Sequence, residues 1–541
     1  MVQTLLVLLS LAALVGSASS QEAGEPAAAP PALAAEEPSA ELGPAGPDDR
    51  PNILLVFADD QRVDTIGAWG NPAIKTPNMD RIAAGGVSFR RSYCMGSSHG
   101  AVCAPSRAML HTGRAYHAIN HRTMEGCRTL GELLGESGFQ TFGTGKWHNG
   151  RDSFTRSFSA GREIMFGGMS DHNKVPVVDM EDDGTFGEGR RGEGHSSDIF
   201  SGAAADFIAS APEDSPFFCY VAFTAPHDPR DPPPAWRDRE RPPLPGNFRA
   251  QHDFDNGFLK VRDEKLAAWP RDPEVVRDQL AEYYGLIEHL DAAVGRVLAA
   301  VDARGGDRET IIVYAADHGL AVGSHGLLGK QSVYEHSLRA PMMISGPGIP
   351  VGQHLTALTY LYDLYPTLLG LAGVAIEEEI HGEDLRPLWD GEVTQVRDSI
   401  FLSMGKTQRA VTDGRFKLCV YPEVAHRQLF DLASDPLETM DLAPNPAYAS
   451  HIARLEREMA TWRRWTGDPD PLSVADPGEL RVDLAGAERK PDRWQPEWIR
   501  EKYFDPPAEE PAEEPAAEPA GDSPAKPAGE ATGSAPKKSG S

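Results

Sequence analysis

The run Asn52-Ile-Leu-Leu-Val-Phe-Ala58, which ends on the adjacent carboxylates Asp59 and Asp60, restricts the fold more than any other stretch of this chain. An unbroken apolar segment of strand length has no polar face to turn to water, so it belongs in a sheet covered on both sides. Further strand candidates stand at Phe139 to Gly143, Phe217 to Phe223 and Thr310 to Ala316, with helical patterns between them at Leu130 to Glu136, Asp198 to Ala209 and Val275 to Val301. Pro77 to Ala84 adds a helix with proline in its first turn and Met79, Ile82 and Ala83 at helical spacing. This alternation predicts an α/β domain built on a large mixed, mostly parallel sheet flanked by helices. Sites in such sheets form beyond the carboxyl ends of the strands, where Asp59-Asp60 and Asp317-His318 both fall.

A length of 541 residues allows a second folded unit. The pattern changes near residue 376, where strand candidates at Ser399 to Ser403 and Arg415 to Tyr421 precede a helix from His451 to Trp465. We therefore expect a main domain over 51–375 and a smaller C-terminal α+β subdomain over 376–505. Residues 21–50 and 506–541 are dominated by Ala, Pro and Glu and read as a disordered linker and tail, because they hold too little apolar surface to offset the entropy of ordering. Residues 229 to 275 are crowded with Pro, Arg and Asp, a long excursion expected at the rim of a pocket.

Residues 1–20 read as a signal peptide, with an apolar run over 4–16 followed by Ser17-Ala-Ser-Ser20. The first residues carry no Lys or Arg, so an uncleaved anchor is the alternative, although the run is short for a membrane span. An exported protein, periplasmic or secreted, with no membrane span in the mature chain is the expectation. The net charge of −28 argues against nucleic acid and anionic membrane as partners and requires any anionic substrate to be held by a local positive pocket. Of the five cysteines, Cys94 and Cys127 are the pair to test first for a bridge, while Cys219 lies in an apolar strand candidate and reads as buried.

Several short segments carry chemistry. Asp59, Asp60, Asp317 and His318 offer donors for one hard cation, which would neutralise carboxylates that otherwise repel. Cys103 opens Cys-Ala-Pro-Ser-Arg107, and a helix beginning there brings Arg107, four residues on, back beside the same site. The helix amino end adds partial positive charge near an anion. Gly145-Lys146-Trp147-His148-Asn149-Gly150 supplies an ammonium and an imidazole. Ala225-Pro226-His227-Asp228-Pro229 follows another strand candidate, and Leu328-Gly329-Lys330 lies shortly after Asp317-His318. His99, Arg151, His172 and Arg230 neighbour these motifs and are candidates for substrate selection, whereas His325 is given no catalytic role.

Cys-x-Pro-Ser-Arg at 103–107 with Thr112-Gly113-Arg114, the Gly-Lys-Trp-His-x-Gly segment and Gln428-Leu-Phe-Asp together resemble the formylglycine-dependent sulfatase family of the alkaline phosphatase superfamily, over roughly residues 51 to 465. The resemblance implies that Cys103 is oxidised to formylglycine by a formylglycine-generating enzyme. It also implies that Asp59, Asp60, residue 103, Asp317 and His318 hold a divalent metal, usually Ca2+. His318, where the commonest pattern has Asn, resembles the branch containing iduronate-2-sulfatase and phosphonate monoester hydrolases. A nitrogen donor is softer than Ca2+ prefers and makes Mn2+ a competitor. The catalytic set implied is Cys103, Arg107, Lys146, His148, His227 and Lys330, with the two lysines on sulfate, His227 on the leaving oxygen and His148 as proton acceptor. The substrate implied is a sulfated small molecule or saccharide. The alternatives are a phosphonate monoester or phosphodiester hydrolase using the same site, and a non-catalytic carbohydrate-binding relative.

Overall fold

The computed structural model describes residues 50–505, so the expected signal peptide, the linker up to residue 49 and the tail from 506 lie outside the described residues. Eight strands form the main sheet: β1 (Asn52–Ala58), β2 (Gly86–Phe89), β3 (Gln140–Trp147), β4 (Ala160–Phe166), β5 (Phe217–Ala222), β6 (Thr310–Ala316), β7 (Met342–Ser345) and β8 (Gln353–Leu355). Their spatial order is β8-β2-β7-β6-β1-β5-β3-β4. The chain's first apolar run is thus a central strand, paired in parallel with β6 on one side and β5 on the other. Only β7 among these strands runs against its neighbours, which makes the sheet mixed.

Side chains of β1 alternate between two cores. Leu54, Val56 and Ala58 pack with Met79 and Ile82 of α1 (Pro77–Ala84), Phe200 of α4 (Ser196–Ser210) and Leu280 and Leu290 of α5 (Pro273–Arg304). Ile53, Leu55 and Phe57 pack on the other face with Ala108 and Leu110 of α2 (Cys103–Thr112) and Leu130 and Leu134 of α3 (Leu130–Glu136). Each fully buried aliphatic side chain of this kind contributes about 1.5–3 kcal/mol, which is why the strand has no polar face. Local signals set the helix starts: Thr129 and Glu132 close a capping box on α3, and Asp272 caps α5 ahead of Pro273.

A second sheet joins Ile400–Met404, Gln408–Thr412, Phe416–Tyr421 and His426–Asp431 in antiparallel order. The helix Ala449–Thr466 buries Ile452, Leu455, Met459 and Trp462 in the core of this sheet. The two-residue strand Gly96–Ser97 pairs in parallel with Ile400–Met404. The chain leading into α2 is therefore clamped to the second sheet while α2 itself packs on the first. Residues Ile376, Ile380, Leu385 and Trp389 still pack with the core of the main sheet.

All five cysteines are buried free thiols, so Cys94 and Cys127, the pair to test first, are not bridged. Cys94 packs among Tyr93, Met95 and residues of the second sheet, whereas the Cys127 carbonyl accepts from Arg156 in a turn ahead of α3. Cys219 is fully buried on β5, as its apolar surroundings require.

Candidate active site

Because β1 and β6 pair in parallel with Ala58 opposite Ala316, Asp59-Asp60 and Asp317-His318 leave the sheet at one edge. The Asp60 N–H donates to Asp317 Oδ1 at 2.9 Å, and the Asp317 N–H donates to the Ala58 carbonyl at 3.2 Å. Asp60 takes a left-handed backbone conformation (φ +65°), strained for a residue with a Cβ. Tyr283 of α5 holds it there by donating its hydroxyl to the Asp60 carbonyl at 2.6 Å.

Helix α2 starts at Cys103, and Ser106 in its first turn donates to the Asp317 carbonyl at 2.7 Å. That bond fixes the helix amino end over the aspartates. The Cys103 sulfur lies 3.2 Å from His318 Nε2, 3.8 Å from Asp60 Oδ1 and 3.4 Å from Lys330 Nζ. Burial, with Asp59 adding to it, pushes the thiol well above its usual range. One turn on, fully buried Arg107 donates to the Lys146 carbonyl at 3.0 Å and to the Tyr220 hydroxyl at 3.1 Å. Its Nη2 stands 3.6 Å from carboxylate oxygens of both Asp59 and Asp317.

Lys146 at the end of β3 pairs with Asp59, and Lys330 reaches Asp60 at 2.8 and 2.9 Å. Burial alone would raise the Asp59 carboxyl, yet Lys146 and Arg107 hold it well below the usual range. Burial opposes the Lys330 charge, but Asp60 and Cys103 raise its value well above the ordinary one. Burial and Asp59 push Asp317 upward. Three carboxylates thus face three cationic side chains.

His227 places Nε2 3.6 Å from Asp60, while its Nδ1 bonds the Asp228 carbonyl at 2.8 Å, which makes Nδ1 the protonated nitrogen of the neutral ring. Burial lowers its value, and Asp60 opposes the shift. His148 has a buried Nδ1 without a hydrogen-bond partner, and burial with the charges of Lys146 and Arg107 lowers it to about 3. A Cβ on Gly168 would come within 2.8 Å of His148 Nε2, so that glycine leaves the ring its room.

The donor atoms of Asp59, Asp60, Cys103, Asp317 and His318 all lie within 4.8 Å of one another. Asp59 Oδ1 and Asp317 Oδ2 are buried there without a hydrogen-bond partner, and charged oxygens so placed suit a hard divalent cation. Every metal-type residue expected from the sequence is in this cluster, with Arg107, Lys146, His227 and Lys330 around it.

The residues proposed for substrate selection are placed differently. His172 is buried behind His227: its Nε2 lies 2.9 Å from the His227 carbonyl and its Nδ1 faces Ser196 and Thr224. Arg230 is buried against Gln279, His99 pairs with His121 at 3.0 Å, and Arg151 is exposed over Phe166 and Phe186. His325 stacks on Tyr334 in a ring cluster beside the second sheet. Sequence reading missed Tyr220 and Tyr283, which arrive from β5 and mid-α5 with no local motif, whereas Ser106 sits inside the segment already singled out.

A model of the sulfatase family matches residues 51–374, and one described as N-sulphoglucosamine sulphohydrolase, C-terminal, matches residues 323–464. An arylsulfatase of Clostridium perfringens is 26% identical over 455 residues, 75% of this chain and 93% of that protein. A delta 4,5-hexuronate-2-O-sulfatase of Bacteroides thetaiotaomicron is 29% identical over 473 residues, 78% and 92% of the two chains. Among solved structures, a protein in complex with its substrate D-glucosamine-2-N,6-O-disulfate shares the fold with a TM-score of 0.66 at 23% identity, covering 78% of this chain and 99% of its own. The family match runs through the whole main sheet and the aspartate–histidine cluster at its edge, and the chain belongs to the sulfatase family.

Proposed function

We propose that this sulfatase hydrolyses a sulfate monoester of a carbohydrate, with Cys103 as the precursor of a formylglycine. One observation carries the reading: Cys103 begins a helix and places its sulfur among His318, Asp60 and Lys330, inside the cation-type donor set. The sulfated glucosamine of the solved relative and the hexuronate named for the Bacteroides enzyme favour a saccharide substrate.

Asp59, Asp60, Asp317 and His318 would hold the cation, Ca2+ by its preference for carboxylate oxygen, with Mn2+ the competitor favoured by the His318 nitrogen. When both groups are in place, the cation supplies charge and Lewis acidity, and the hydrated aldehyde supplies the hydroxyl that attacks sulfur and the second hydroxyl needed for sulfate release. The residues do the rest. Three carboxylates against three cationic side chains leave the pocket near neutrality, so a divalent cation makes it locally positive and able to hold a sulfate ester despite the chain's net charge of −28. Lys146 and Lys330 bind and orient sulfate oxygens, and Arg107 screens the aspartates from beneath. His227 keeps its Nδ1 proton on the Asp228 carbonyl and, as the imidazolium favoured by Asp60 and by the incoming anion, carries a second proton at Nε2 for the departing alcohol oxygen. His148, neutral through burial, accepts a proton in the release step.

Export, through the segment at 1–20, and maturation by a formylglycine-generating enzyme belong to the same reading. Mass spectrometry of the Cys103 peptide from native-host protein, with sulfate-release assays of wild type and Cys103→Ser, tests it. An aldehyde at residue 103 and loss of turnover in the variant are expected; an unmodified thiol in active enzyme overturns the reading. His318 also suits a phosphonate monoester hydrolase, and a strong preference for phenyl phosphonate over an aryl sulfate would establish that reading instead.

A further inference from the structure

Both family models stop before residue 465, yet the chain continues as an ordered arm to residue 505. The arm leaves the second sheet, where Asp468 and Asp470 pair with buried Arg409, and crosses to the main domain. The Lys490 N–H donates to the Lys265 carbonyl at 2.9 Å, Trp498 Nε1 donates to Asp231 at 2.9 Å, and Tyr503 donates to Glu282 of α5 at 2.7 Å. Gln495, Ile499 and Tyr503 are buried in the seam. The arm therefore lies across the loop that carries His227.

One ion-pair chain connects the arm to that loop. Arg262, from the excursion between β5 and α5, donates to Asp228 at 2.6 and 3.0 Å and to Asp492 of the arm at 2.6 Å, and it also pairs with Asp263. Asp228 is nearly buried, and its carbonyl is the group that holds His227 Nδ1. A partly buried guanidinium shared between carboxylates from two segments fixes both in place, whereas the same pair on an open surface would do little.

We propose that Arg262 and Asp492 are positioning residues for the reaction: the chain Asp492–Arg262–Asp228 fixes the peptide that orients the His227 ring, so the C-terminal arm is part of the catalytic unit. This rests on the reading of His227 as the proton donor to the leaving oxygen. A displaced donor slows substrates in proportion to how much their leaving alcohol needs a proton. A 4-nitrophenol leaves without one, an alkyl or sugar alcohol does not.

The test uses the full-length matured enzyme and three sulfate esters of rising leaving-group pKa: 4-nitrophenyl, phenyl and a simple alkyl sulfate. Asp492→Asn is expected to lose about twofold in kcat on the first and tenfold or more on the last, with KM little changed and thermal unfolding close to wild type. Asp492→Glu, which keeps the charge, should recover most of the loss, and Arg262→Gln should reproduce the Asp492→Asn pattern. An equal loss on all three esters, or none, overturns the proposal. His227→Ala separates the two levels. If it steepens the leaving-group dependence and Asp492→Asn does not, the arm has no positioning role and His227 keeps its own. If His227→Ala gives an equal loss on all three, the proton-donor reading falls and this inference with it.

Discussion

Lys330 Nζ lies 3.4 Å from the Cys103 sulfur while donating to both oxygens of Asp60, so one ammonium touches the reactive position and a metal-type carboxylate together. Replacing it by methionine keeps the stem and removes the charge. Lys330→Met should lower kcat/KM for an aryl sulfate by about 10²–10³, the scale for loss of one charge-stabilising donor. Lys330→Arg should retain more activity than Lys330→Met. Equal kinetics for Lys330→Met and wild type would remove Lys330 from the site.

Residues at the end of their own strand or inside a short motif were legible in the sequence, and residues that arrive from elsewhere with no motif were not. Asp59-Asp60 and Asp317-His318 follow apolar runs whose length and flanks announce central strands, and Arg107 follows from helical spacing after Cys103. Tyr283 is one of two adjacent tyrosines within a 32-residue helix, and its bond to Asp60 depends on how that helix crosses the sheet. Strand β7 is four residues, reversed, and paired with the short β2; neither carries a period long enough to stand out. The same holds for Arg262 and Asp492, 230 positions apart in sequence and joined only by the folded arm. Cys94 and Cys127, the pair to test first, stay unbridged, because parity of cysteines says nothing of distance.

The donor set predicts how the protein answers to metal. EDTA should lower Tm and abolish turnover, and Ca2+ should restore both; a cation at about one hundred times its Kd stabilises the fold by about 2.7 kcal/mol. His318→Asn exchanges the one nitrogen donor for an oxygen, so the stabilisation by Mn2+ relative to Ca2+ should fall. Thermal unfolding read with each cation checks this apart from activity. A Tm indifferent to EDTA and to both cations would contradict a resident divalent ion.

Gly145 immediately precedes Lys146, at a register irregularity between β3 and β4. Its φ is +88°, and a Cβ there would sit 1.9 Å from the Ala222 carbonyl oxygen of β5. Neither strain nor clash is relieved by a side-chain movement, because both are backbone. Gly145→Ala should therefore force β3 and β5 apart, displace Lys146 from Asp59 and cost more than the 1–3 kcal/mol of left-handed strain alone, a range that is only about a lower bound here. The expected result is a clear fall in Tm together with lost activity; a variant with wild-type Tm and kinetics would contradict the geometry.

Asp291 of α5 accepts from the backbone N–H groups of Asn78 and Met79 at 3.1 and 2.8 Å, and so caps α1, whose own preceding residue Thr76 makes no cap bond. Burial raises its carboxyl from the ordinary 3.8 to about 6, against the pull of these bonds. The native state then keeps a proton that the unfolded chain has already lost, so this group's contribution to stability falls as pH rises from about 4 through 6 and is flat above. The full effect is at most about 3 kcal/mol, taking about 1.4 kcal/mol for each pH unit of the window. Asp291→Asn keeps an oxygen for both N–H groups and removes the buried charge, so it should flatten the Tm-against-pH curve in that window and match or exceed wild type at pH values near 8. Asp291→Ala removes the cap as well and should be about 0.5–2 kcal/mol less stable than Asp291→Asn at every pH. Parallel Tm curves for wild type and Asp291→Asn across the window would show that the carboxyl titrates at its ordinary value, and that the cap bonds, rather than burial, decide its charge.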